Sequence, residues 1–132
     1  MVALNTRFVY VGTYTYRGDS KGIYLYRLDM TTGALIPSGV AAETVNPSFL
    51  AAAPQRRYLY AVNETMTFEG QSGGGLSAFA IEPQTGMLTF INSQCTHGGA
   101  PCHVSVDQTG HFVYVANYMG GNVAVFPVRG DG

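Results

Sequence analysis

Apolar and aromatic residues recur along this chain in short blocks with no helical spacing. FVYVGTY at 8–14 returns as YLYAVNE at 58–64 and as FVYVANY at 112–118. A second series follows it, with GIYLYRL at 22–28, GLSAFAI at 75–81 and NVAVFPV at 122–128. Two shorter pairs keep the same order: NPSFLAA (46–52) over APCHVSV (100–106), and DMTTGAL (29–35) over EPQTGML (82–88). Four series recurring at roughly fifty residues define an internal repeat. Near-continuous runs of Val, Tyr and Phe predict strands buried on both faces. The segments between them are turn chemistry, such as Asp107-Gln108-Thr109-Gly110, where Gly allows positive φ and Asp caps the turn.

One full repeat therefore predicts strand A at 47–53, B at 58–63, C at 75–81 and D at 87–92. About fifty residues and four antiparallel strands per repeat is the pattern of a β-propeller blade. A sandwich of the same length is the alternative, but it has no need of repeats in register. The expected fold is all-β, a partial propeller over residues 1–132 with about two and a half blades. Strands B–D of blade one fall at about 8–42, blade two at about 46–94, and strands A–C of blade three at about 99–128. The stretch from Gly70 to Gly75 reads as a flexible loop. Ten strands do not close a ring of 4–8 four-stranded blades. The chain thus reads as the N-terminal part of something longer, or as a homo-oligomer unit completed by other copies. Open edges and uncovered faces argue against a soluble monomer.

Composition narrows the function classes. Charged residues make up only 11% and the formal net charge is −1, with the basic residues scattered. That excludes a basic stripe for nucleic acid and a polybasic membrane anchor. The N-terminus lacks the pattern of a signal peptide, and no apolar run approaches the ~20 residues of a membrane span. The expected compartment is the cytoplasm, with Cys95 and Cys102 as free thiols. Cys95, His97, Cys102 and His103 lie within nine residues, yet the spacing is not that of a zinc site. It spans a crossover between blades, and no metal is expected. Met119-Gly120-Gly121 lacks the form of a phosphate loop, and no G-x-S-x-G elbow is present.

VYVGTYT, NPSFLAAAP, YLYAVNE and above all PCHVSVDQTGHFVYVANYMGGNVAVFPV together resemble the seven-bladed propeller lactonases of the 6-phosphogluconolactonase type. Their relatives include the 3-carboxy-cis,cis-muconate lactonizing enzyme. The resemblance spans 8–128, whereas family members are more than twice as long. It implies hydrolysis of 6-phospho-D-glucono-1,5-lactone or a related lactone, with no cofactor and a small-molecule lactone as the partner. Two other readings stay open: a non-enzymatic scaffold, and a muconate-type lactonizing enzyme.

His103 is the leading catalytic candidate. It sits on an inner strand where the preceding blade carries Phe49, and an imidazole exchanges protons near neutral pH. The family, in which a channel histidine has a proposed catalytic role, supports it; a purely structural hydrogen bond is the alternative. Glu64 is the second candidate, able to orient a water or the histidine. Asn63, Asn117, Tyr118 and Tyr14 end strands at equivalent places and are the expected substrate-binding set. The competing reading is that the asparagines only satisfy backbone groups in adjacent turns. His111, beside a turn, is expected to be exposed and without a role.

Overall fold

The structure, a computed structural model, describes residues 5–132. The first sheet holds β1 (Thr6–Val11), β2 (Gly22–Asp29) and β3 (Leu35–Glu43). The second holds β4 (Leu50–Ala52) and β5 (Tyr58–Asn63), then β8 (Gly75–Ile81) and β9 (Leu88–Cys95). Between β5 and β8 the chain makes a small hairpin of β6 (Thr67–Phe68) and β7 (Gln71–Ser72). The third sheet holds β10 (Pro101–Val106), β11 (Phe112–Asn117) and β12 (Asn122–Pro127). Every pairing is antiparallel between sequence neighbours within its sheet, and no helix forms among the described residues. The protein is all-β, with the architecture of part of a propeller.

Alternation along each strand sends side chains to both faces, and the second sheet buries both. Ile23 and Leu25 of the first sheet meet Leu59, Ala61 and Phe79 of the second. The opposite face of the second sheet presents Tyr60, Val62, Leu76 and Ala78 to Val104, Val113 and Val115 of the third. This explains why the strands read as unbroken apolar runs. The third sheet leaves its far face open, where Phe112, Tyr114, Val123 and Val125 are exposed. In the repeat those positions match Tyr58, Tyr60, Leu76 and Ala78, which cover the third sheet from the second.

Three expectations are corrected. The Gly70–Gly75 stretch is an ordered hairpin and not a loose loop. Glu69 and Gly70 both take positive φ (49° and 78°), the conformation of a tight two-residue turn, and Ser93 Oγ donates to Glu69 Oε1 at 2.7 Å. The inner strand of the second sheet is also shorter than 47–53. Pro47 has no N–H to add to a ladder, and Asn46 takes a left-handed φ of 41°, so pairing starts at Leu50. At the other end β9 runs on past residue 92 to Cys95, which pairs with Gly75.

The A–B turn of the third sheet shows how short segments close the strands. Asp107 Oδ1 accepts from His111 N (2.8 Å) and Phe112 N (2.9 Å), and Oδ2 accepts from Thr109 N (3.2 Å) and the Thr109 hydroxyl. These donors, the Thr109 hydroxyl first, hold the Asp107 carboxyl down to about 2. His111 is exposed, as its turn position predicts.

Candidate functional site

Antiparallel strands bring one set of loops to a common rim. The 12–21 loop, the 44–49 crossover, the 64–74 hairpin segment, the 96–100 crossover and the 118–121 turn are joined there by backbone hydrogen bonds. Glu64 N donates to the Asn46 carbonyl (3.1 Å), Ala100 N to the Thr65 carbonyl (2.9 Å), and Tyr118 N to the Ala100 carbonyl (2.9 Å). The rim is close-packed where the first two sheets meet. A Cβ on Gly12 would overlap the Pro47 carbonyl, so only glycine fits.

His103 lies exposed on β10, with its ring centroid 4.5 Å from that of Phe49. The two occupy equivalent repeat positions, Phe49 just before β4 and His103 within β10. Register in this sheet skips from Pro101, paired with Asn117, to His103, paired with Ala116. Cys102 is therefore the extra residue of a bulge, a device that re-aims the side chain beside it. Glu64 is half-buried at the end of β5. Its Oε2 accepts from Tyr14 OH at 2.9 Å and from Ser48 Oγ. Donation to a carboxylate makes the Tyr14 proton harder to remove, and that bond is the main cause of a phenol raised above its ordinary value. Tyr118 is 76% exposed at the same rim.

The two asparagines depart from the expected substrate-binding role. Asn63 is wholly buried: Nδ2 donates to Thr44 Oγ1 (2.8 Å) and the Val45 carbonyl (2.6 Å), and Oδ1 accepts from Ser77 Oγ (2.7 Å). Asn117 is 3% exposed, and its Nδ2 donates to the Thr96 carbonyl (3.0 Å) and to Asn122 Oδ1 (3.2 Å). Each stitches the end of a B strand to the crossover from the preceding sheet, because crossover carbonyls buried there need donors. Asn63 has no polar group left for a ligand.

Sequence reasoning missed Ser48 and Asn46. Asn46 Oδ1 accepts from Thr15 N (2.8 Å) and Thr15 Oγ1 (3.1 Å), and its Nδ2 donates to the Glu64 carbonyl (3.2 Å). The one available signal was NPS at the start of the predicted A strand. The two cysteines are free: Cys95 Sγ donates to the Ser72 carbonyl (3.5 Å) and accepts from His97 N (3.4 Å), and Cys102 Sγ donates to the Ala116 carbonyl (3.8 Å). Among the described residues, no group of three or more His, Cys, Asp or Glu side chains is placed to hold a metal ion. A cleft of about 480 Å3 opens elsewhere, between the second and third sheets, lined by Tyr60, Ile91, Gln94, Phe126, Arg129 and Asp131. It contains none of the six predicted site residues.

Stacked antiparallel sheets of three and four strands, built on one sequence repeat, have the architecture of part of a propeller. The family described as "Lactonase, 7-bladed beta-propeller" matches residues 8–132, and the chain belongs to that family. A 6-phosphogluconolactonase of Bacillus subtilis (strain 168) is 44% identical over 128 residues, covering 96% of this chain and 35% of the relative. A crystal structure from Bacteroides fragilis superposes with a TM-score of 0.86 at 38% identity, over 96% of this chain and 33% of that one. The periplasmic gluconolactonase of Pseudomonas aeruginosa gives 0.83 at 39% identity, over 96% and 36%. The chain thus spans about a third of the length of these relatives.

Proposed function

We propose that this chain supplies the N-terminal blades of a lactonase that hydrolyses 6-phospho-D-glucono-1,5-lactone, a step of the pentose phosphate pathway. The observation that carries the reading is the exposed imidazole of His103 on an inner strand, beside Phe49, the next residue after the Ser48 that bonds Glu64. Family membership and the B. subtilis relative support the substrate class. In this mechanism His103 takes a proton from water as the oxygen attacks the lactone carbonyl. The tetrahedral intermediate then collapses, the ring C–O bond breaks, and the departing alkoxide takes the proton back from the imidazolium. Glu64 orients the water or the imidazole, while Tyr14 and Tyr118 offer hydroxyls to the sugar.

The test is hydrolysis of the phosphosugar lactone by the purified chain, with His103→Ala as control. Turnover lost in the variant supports the reading; turnover unchanged in the variant refutes it. A muconolactone run in parallel distinguishes the lactonizing enzyme. The exposed face of Phe112, Tyr114, Val123 and Val125 favours a second reading, in which copies of the chain pack together as a scaffold. Native mass in solution tests that directly: a discrete oligomer supports it and a monomer refutes it.

A further inference from the structure

The carboxylate of Glu64 is held from two sides by a single oxygen. Tyr14 reaches it from the loop after β1, and Ser48 reaches it from the segment before β4; both hydroxyls donate to Oε2. Among the described residues nothing hydrogen-bonds Oε1. The Glu64 backbone is fixed as well, since its N–H and carbonyl both bond to Asn46. The residue after Ser48 is Phe49, whose ring stands 4.5 Å from that of His103. Ser48 and Phe49 are adjacent in the chain. The dipeptide therefore reaches Glu64 with one side chain and His103 with the next.

We infer that Ser48 and Phe49 are positioning residues that set the two candidate catalytic groups, and that Oε1 of Glu64 is the oxygen presented to ligand. Ser48 and Tyr14 fix the rotation of the carboxylate, and Phe49 fixes the plane of the imidazole. Groups held this way need no rearrangement when the reaction starts. The catalytic part of the inference rests on the lactonase reading; the clamp on Glu64 does not.

Two readouts on the 132-residue chain keep these apart. The first is the titration of the Tyr14 phenol, followed by NMR of ring-labelled tyrosine and assigned with Tyr14→Phe. Tyr14 titrates above an ordinary tyrosine because its hydroxyl donates to Glu64. The isosteric Glu64→Gln brings its midpoint down, whereas Ser48→Ala, which removes the competing donor, leaves it raised or raises it further. A midpoint unmoved by Glu64→Gln overturns the clamp. The second readout is lactone hydrolysis. Ser48→Ala and Phe49→Ala each lower kcat about tenfold or more with KM within about twofold. Ser48→Thr, which keeps the hydroxyl, restores kcat. Full activity in both alanine variants overturns the positioning role. A folded chain that turns over no lactone defeats the lactonase reading in this polypeptide, while the titration still decides the clamp.

Discussion

Asn117 carries a buried carbonyl oxygen, Oδ1, that accepts no hydrogen bond from any described group. Its repeat counterpart is satisfied: Asn63 Oδ1 accepts from Ser77 Oγ at 2.7 Å. The two sheets share their register, with Ala61 opposite Ser77 and Val115 opposite Ala124. Ala124 thus stands where the missing hydroxyl would be. Leaving a buried acceptor unpaired costs roughly 1–3 kcal/mol, and burying and fixing a new hydroxyl takes part of that back. Ala124→Ser should therefore stabilise the chain by about 1 kcal/mol, a rise in Tm of roughly 3–5 °C for a domain of this size. The reverse change, Ser77→Ala, strands Asn63 Oδ1 and should cost about 1–2 kcal/mol. Both are measured by urea unfolding, with the m-value checked for constancy. A destabilising Ala124→Ser together with a neutral Ser77→Ala would refute the serine–asparagine latch as a source of stability.

Other tests follow from backbone and charge. Arg56 takes a left-handed φ of 59° where the next repeat has Gly110 at 74°, so Arg56→Gly should raise the urea midpoint, stabilising by about 0.5–1 kcal/mol. Gly12→Ala drives a methyl into the Pro47 carbonyl and should cost about 2–3 kcal/mol in the same assay. Asp107 has a depressed carboxyl, so its stabilising effect is present above the unfolded value of 3.8 and is lost as pH falls through about 2. Asp107→Asn should accordingly lower Tm at neutral pH, and the gap to the parent should narrow between pH 4 and pH 2.

Most of the strand order was legible because each repeat is a local pattern. FVYV, YLYA and FVYV announce strands whatever surrounds them, and Gly33, Gly86 and Gly110, all at positive φ, mark turns fixed by neighbours a few residues away. The Gly70–Gly75 stretch was misread because its order comes from distant partners. Glu69 is tied to Ser93 across the sheet, and the Phe68 ring lies against Gly75. The asparagines were misassigned for a related reason. A polar residue ending a strand looks the same whether it faces solvent or closes a seam; the Val45 and Thr96 carbonyls that the two amides reach decide which.

By itself, the sequence determined the all-β class, the repeat, nearly all the strands and the family, since these depend on alternation, turn residues and local motifs. It also singled out His103, because a titratable residue replaces Phe49 at a repeated position. Only the tertiary structure decided which side chains share the rim. Tyr14, Ser48 and Glu64 come from three separate segments and meet because the first and second sheets stack. Stacking buries Asn63 and Asn117 and leaves Tyr118 and His103 exposed. Such outcomes follow from contacts between residues far apart in the chain, and no local spacing encodes them.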